Sequence, residues 1–192
     1  MPTLSATHRK PFQEAIELIA RAAAALEKRG IEPPILVGGA AVELFTASTV
    51  TTGDFDVVTP YREEFFEELL KVGFRRPARG ESGRALFHEG TGFSVEVVSG
   101  HLLDGRADRR RVSRIEFSDG ALRLVPIEDM IADRMGQALA GPRRSQAMRD
   151  QAVWLYRFAN SPDRAYLDRR IREETMNEAT AATLEAWEHE DD

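Results

Sequence analysis

The feature that most constrains the fold is an ordered run within the first sixty residues. A short apolar stretch, Ile35–Leu36–Val37, leads into Gly38–Gly39 and a small-residue segment, and then comes Asp54–Phe55–Asp56–Val57–Val58. The apolar triplet reads as a strand, Ala40–Thr46 as a short helix and 54–58 as a second strand. A strand that ends in two glycines at a helix N-terminus offers backbone N–H groups that can approach a phosphate closely. Strand period two puts Asp54 and Asp56 on one face and Phe55 on the other. Two such carboxylates suit Mg²⁺, which prefers a few carboxylates plus substrate phosphates to an all-protein cage. A third acid, Glu96, sits between Val95 and Val97 in the strand-like run Phe93–Val98, as a ligand or base completing a two-metal clamp. Asp-x-Asp alone carries little, and the ordered combination carries the reading. The alternative places Asp54 and Asp56 at a solvent-facing edge, with Glu96 capping or paired with an arginine.

Around this run the periodicity predicts a helix over 8–29, with Phe12, Ile16, Ile19, Ala23 and Leu26 at helical spacing and Gly30 as its stop. Pro60 opens another helix bearing Phe65, Phe66, Leu69 and Leu70. From Gly73 to Val125 the pattern is β-rich: Ala85–His88 and Phe93–Val98 form one strand pair, and Val112–Phe117 and Ala121–Val125 form a hairpin around Ser118–Asp119–Gly120. From Pro126 onward the chain is helical, with breaks at Gly141–Pro142 and near Ser161–Pro162. The order implies an α/β (α+β) core over 1–125 followed by a helical C-terminal region over 126–192 with an acidic tail.

These residues carry a resemblance. Val37–Gly38–Gly39 followed by Asp54–Phe55–Asp56–Val57 resembles the signature of the nucleotidyltransferase superfamily with the polymerase-β-like fold. The resemblance implies a mixed sheet, with Gly38 and Gly39 lining the nucleotide triphosphate, Asp54 and Asp56 binding Mg²⁺ (two ions) and Glu96 as the third acid. Within the superfamily the chain is most similar to the AbiEii-type toxin-like nucleotidyltransferases. Thr52 stands two residues before Asp54, as in their Thr-x-Asp-x-Asp motif. Leu124–Val125–Pro126–Ile127–Glu128–Asp129–Met130–Ile131–Ala132–Asp133–Arg134 resembles their strand-to-helix segment, and Arg144, Arg149–Asp150 and Leu155 their following helix. On that basis Thr52, Arg134 and Asp150 join the nucleotide-binding set. Three departures stand out. The gap from the glycines to Asp54 is fourteen residues, slightly long for the wider superfamily. Val50 replaces the family's arginine four residues before the first aspartate. Arg134 replaces its usual lysine, keeping charge and changing geometry.

Read from its own surroundings, Arg134 lies near the apolar face of its helix, where a charge needs a partner. It is either a triphosphate contact or the partner of Asp129, Asp133 or Asp150. Asp150 is either an orienting acid or a helix-surface charge. Arg106, Arg109, Arg110, Arg111 and Arg114, like Arg75, Arg76, Arg79 and Arg84, either track a nucleic-acid backbone or form solvated loop and strand edges. His88 and His101 stand alone and read as structural. The formal net charge of −6 argues against a nucleic-acid partner only at first sight. Residues 173–192 hold eight acids and no Lys or Arg, which leaves 26 basic against 24 acidic residues over 1–172. In that tail Met176, Ala179, Leu184 and Trp187 predict an acidic amphipathic helix that docks on the arginines, masks them or confers solubility. Cysteine is absent, which excludes thiolate zinc sites and cysteine nucleophiles. No signal peptide or membrane span is legible, so a cytoplasmic location and no membrane partner are expected.

The implied activity is Mg²⁺-dependent transfer of an NMP from an NTP, ATP included, to an acceptor hydroxyl. The acceptor is tRNA or another macromolecule, in a toxin–antitoxin-like setting with a cognate antitoxin. The alternatives are a small-molecule, antibiotic-type nucleotidyltransferase and a non-catalytic nucleotide- or RNA-binding descendant of the fold.

Overall fold

The computed structural model describes residues 4–77, 84–140 and 145–190. The chain divides into two compact units, Met1–Val125 and Pro126–Asp192.

In the first unit six strands form one mixed sheet in the order β3-β4-β2-β1-β6-β5. They are β1 (Ile35–Val37), β2 (Asp54–Val58), β3 (Leu86–His88), β4 (Phe93–Ser99), β5 (Ser113–Phe117) and β6 (Gly120–Leu124). β1 runs antiparallel to β2 and parallel to β6, and β2 runs parallel to β4. β3 and β5 close the edges as antiparallel partners of β4 and β6. Every residue of β1 is buried, as expected of an apolar strand paired on both sides.

Three helices accompany the sheet: α1 (Lys10–Lys28), α2 (Gly38–Phe45) and α3 (Arg62–Lys71). α1 lies within the predicted 8–29 and buries Phe12, Ile16, Ile19, Ala23 and Leu26 against β6 and α3. α2 begins two residues earlier than Ala40, because both glycines adopt the first turn and Val37 serves as N-cap. α3 starts at Arg62 rather than Pro60; Thr59 Oγ1 accepts the Tyr61 N–H at 3.1 Å and occupies the preceding turn. Phe12, Phe55 and Phe93 form an aromatic cluster that joins α1, β2 and β4, with centroids 5.2 Å apart for Phe12–Phe55 and Phe55–Phe93.

The second unit holds α4 (Ile127–Leu139), α5 (Gln146–Phe158), α6 (Arg164–Glu174) and α7 (Ala181–Glu190). Ser145 and Asp163 cap α5 and α6 by accepting N–H groups of Met148 and Tyr166. The break near Ser161–Pro162 falls between α5 and α6, and the one at Gly141–Pro142 lies outside the described residues. Arg170 and Asp129, both fully buried, pair at 2.5 Å. Tyr166 donates to Asp129 at 2.8 Å, and Glu173 and Glu174 take the remaining Arg170 nitrogens at 2.5 and 2.6 Å. The acidic tail is not one amphipathic helix from Met176. Thr175 Oγ1 donates to the Ile171 carbonyl and accepts the Ala179 N–H, Met176 and Asn177 take left-handed backbone, and Met176 projects into solvent at 84% exposure. α7 then docks on α5 and α6, burying Leu184 and pairing Glu190 with Arg149, Glu188 with Arg157 and Glu185 with Arg164. Among the described residues no helix is long and apolar enough to cross a membrane.

Because Phe55 is fully buried between Phe12 and Phe93, Phe55→Ala is expected to cost about 3–5 kcal/mol, the range for truncating a core phenylalanine. Urea denaturation followed by circular dichroism measures it.

Candidate functional site

β2 presents its two aspartates as strand alternation requires. Phe55 and Val57 are buried, whereas Asp54 is exposed and Asp56 half-buried. Asp56 pairs in register with Val37 of β1 on one side and Glu96 of β4 on the other, and Asp54 pairs with Ser94. Residues in register on neighbouring strands share a face, so Asp54, Asp56 and Glu96 lie on one face of two adjacent strands. Glu96 is half-buried, and its side chain has no hydrogen bond or ion pair among the described residues. Its strand is less covered than the apolar run suggested: Val95 is buried, but Val97 is half-buried and Val98 is 50% exposed.

The glycines are where the two aspartates' neighbourhood meets α2. A Cβ on Gly38, whose φ is +64°, would stand 2.2 Å from Asp56 Oδ2. One on Gly39 would stand 2.5 Å from Thr52 Oγ1. No side chain therefore fits between the start of α2 and the residues leading into and along β2. The N-cap residue, Val37, provides no side-chain cap, and the start of α2, the positive end of the helix, lies beside the Asp56 carboxylate. Thr52 Oγ1 donates to Asp54 Oδ1 at 3.1 Å and to the Asp54 carbonyl at 3.3 Å.

An ion pair behind this turn, between a half-exposed arginine and a buried glutamate, escaped the sequence reading. Glu43 of α2 is fully buried and receives the Arg9 guanidinium in a two-pronged contact, Nε to Oε1 at 2.9 Å and Nη2 to Oε2 at 2.7 Å. The same carboxylate accepts the Ser48 hydroxyl at 2.9 Å and the Thr52 N–H at 2.7 Å. The hydrogen bond to Glu43 raises the pKa of Arg9 above its ordinary value. The available signal was a glutamate at position 43 inside an otherwise apolar eight-residue helix.

Arg134 and Asp150 lie in the Pro126–Asp192 unit. Arg134 is nearly buried, and its Nη1 donates to Asp133 Oδ2 at 2.8 Å, so Asp133 is the acid of the three considered that it is seen to hold. Burial pushes the Asp133 carboxyl above the usual range, against the pull of Arg134. Asp129 belongs to Arg170, and Asp150 accepts the Gln146 side-chain amide at 2.6 Å. Arg144 and Arg79 are outside the described residues. The arginines of 106–114 meet acids: Arg106 holds Asp104, Arg109 holds Glu32, Arg110 holds Asp108, and Arg114 holds Glu27 and Glu116. Arg75 and Arg76 meet Glu89 and Glu63. His88 packs on Phe74 and shares Nδ1 with Thr91, a structural role; His101 is exposed and its backbone N–H caps onto Ser99.

No protein-family model matches the chain, and no curated protein does. Solved structures do. An antigenic nucleotidyltransferase-like protein from Paracoccidioides brasiliensis superposes with a TM-score of 0.59 at 16% identity, covering 98% of this chain and 95% of that one. The antibiotic-resistance factor ANT(2'')-Ia superposes with a TM-score of 0.53 at 17% identity, covering 92% and 98%. At such identity the likeness is one of fold: the chain has the mixed α/β architecture of nucleotidyltransferase-like proteins.

Gly38→Ala places a methyl group onto the Asp56 carboxylate and forces an L-residue into left-handed backbone. It is expected to destabilise the protein by about 1–3 kcal/mol, the scale of strain at such a position. Urea denaturation reads that cost, and the Asp56 resonances in NMR spectra are expected to move.

Proposed function

We propose that the protein transfers a nucleoside monophosphate from an NTP to an acceptor hydroxyl. The observation that carries this reading is the placing of Asp54, Asp56 and the in-register Glu96 on one face, with the start of α2 against Asp56. Mg²⁺ suits this donor set, because the acids on this face are hard carboxylate oxygens and the missing side chain at Gly38 lets the start of α2 approach the Asp56 carboxylate. Among the described residues no group of three His, Cys, Asp or Glu side chains is drawn together closely enough to hold an ion alone. Asp54 and Asp56 would therefore share the ions with oxygens of the substrate triphosphate, as Mg²⁺ sites commonly do. When bound, two Mg²⁺ ions would neutralise charge on the triphosphate and lower the pKa of the acceptor hydroxyl.

The chain's own residues supply the rest. The N–H groups at Gly38 and Gly39 bind phosphate oxygens, helped by the partial positive charge of the helix end. Thr52 orients the Asp54 carboxylate. Glu96 accepts the proton of the acceptor hydroxyl as its oxygen attacks the α-phosphorus and the bond to the β-phosphate oxygen breaks, releasing pyrophosphate. Much of the rate enhancement comes from holding the acceptor in line.

The similarity of the strand-to-helix segment to toxin-like enzymes points to tRNA or another macromolecule as acceptor, in a toxin–antitoxin-like setting with a cognate antitoxin. A second reading, a small hydroxylated acceptor, is favoured by one observation: the arginines suited to a nucleic-acid backbone are engaged by neighbouring acids. The known activity of ANT(2'')-Ia as an antibiotic-resistance factor is in keeping with it.

Incubation with each α-labelled NTP and Mg²⁺, with total tRNA or with hydroxylated antibiotics as acceptors, tests both readings. Label is expected to move in the wild type. Asp54→Asn and Asp56→Asn are expected to lose at least about 10²–10³-fold in rate, the scale for removing a charge-stabilising group, with unchanged circular dichroism. Wild-type rates in either variant would overturn the assignment. A nucleic-acid acceptor predicts a steep fall with salt, and a small one a flat response.

A further inference from the structure

The connection between α2 and β2 has no ladder of its own, yet it ends on Asp54. Its conformation is unusual: Ala47 and Ser48 both take left-handed backbone, with φ of +50° and +62°, a state that non-glycine residues keep only when their surroundings impose it. The Arg9–Glu43 pair is the surrounding in question. Glu43 Oε2 accepts the Thr52 N–H at 2.7 Å and Arg9 Nη2 donates to the Thr52 carbonyl at 2.7 Å. One ion pair thus holds both backbone polar groups of a residue that lies in no strand. It also holds Ser48, whose hydroxyl donates to Glu43 Oε1 and accepts the Arg9 N–H at 3.2 Å. Arg9 is kept in place from the other side by the Phe93 ring, 5.5 Å from its guanidinium carbon.

Burying the Glu43 carboxylate carries a desolvation cost that its partners must offset, and an ion pair with one buried member seldom adds net stability over apolar residues of similar volume, so stability alone is a weak account of this one. Apolar side chains at 9 and 43 would fill the space but would leave the Thr52 N–H and carbonyl without partners. We propose that Arg9 and Glu43 are positioning residues: they clamp the backbone of Thr52, and the Thr52 hydroxyl in turn aims the Asp54 carboxylate. The value of aiming Asp54 rests on the nucleotidyl-transfer reading; the mechanical coupling does not.

The two oxygens of Glu43 each accept two donors, so Glu43→Gln points an NH₂ at two of them whichever way the amide turns. The test compares wild type, Glu43→Gln, Thr52→Val and the double variant. Arg9→Lys serves as a milder substitute should Glu43→Gln not fold. Two readouts are taken: the Asp54 side-chain carboxyl ¹³C resonance without metal, and Mn²⁺ affinity by electron paramagnetic resonance. Glu43→Gln is expected to move the Asp54 resonance and to weaken Mn²⁺ binding about tenfold, the lower end for loss of a residue that orients a ligand. In the Thr52→Val background, where the link to the carboxylate is already cut, the same change is expected to alter neither readout further. Independent, additive effects of the two substitutions would overturn the proposal, as would an unmoved Asp54 resonance in Glu43→Gln. A wild-type chain that binds no Mn²⁺ and transfers no label would sink the transfer reading instead. The coupling seen at the Asp54 carboxyl would still decide the role of Arg9 and Glu43.

Discussion

The alternation of β2 is the constraint on which the α/β unit rests. Phe55 and Val57 go into the core, where Phe55 packs between Phe12 and Phe93, and that commitment leaves Asp54 and Asp56 no choice but the opposite face. A slip of one residue in pairing would bury two carboxylates and expose the aromatic cluster. The register with β1 and β4 is therefore held by the hydrophobic demand of one phenylalanine. The polar arrangement beside Gly38 is its by-product in folding terms and its use in chemical ones.

The helical unit solves a different problem. Its centre is ionic: Arg170 is wholly buried and spends its guanidinium on Asp129, Glu173 and Glu174. Burying an arginine is tolerable only with its nitrogens taken by acceptors, and here one acid from α4 and two from the same helix supply them. The arrangement specifies how α4 and α6 meet. Gly136 on α4 lies at the contact, where a Cβ would stand 3.0 Å from the Glu174 carbonyl.

Much of this was legible beforehand, and the failures have physical causes. The six strands and the long helices were readable because burial on one face imposes a period on the chain, as with Phe12 to Leu26 in α1 and Phe55 with Val57 in β2. The α2 boundary was misplaced because glycine propensity says nothing about a helix whose first turn must pass close to Asp56 and Thr52. Met176 was assigned to an apolar face because hydrophobicity alone cannot register a left-handed turn held by the Thr175 hydroxyl. Arg9 and Glu43, thirty-four residues apart in the chain, escaped because a pairing across such a distance leaves no local pattern. The arginines of 106–114 looked like a basic stripe for the same reason: Glu27 and Glu32, which neutralise three of the cations on that side, come from far earlier.

The place of β1 has a consequence for how the molecule is made. This three-residue strand sits in the middle of the sheet, bonded to β2 on one side and to β6 on the other. β2 follows it within about twenty residues, whereas β6 arrives some eighty-five residues later. Until then the most apolar strand of the sheet has an open edge, and α1 lacks part of the surface it packs on. Pairings so distant in sequence form slowly, after their loop entropy has been overcome. On the ribosome, residues 54 to 56 emerge after Phe12, β1 and α2 but about forty residues before β4, their other neighbour in the sheet. The acidic face of β2 is thus flanked on its β1 side first and gains Glu96 only when β4 arrives, while β1 waits longer still for β6.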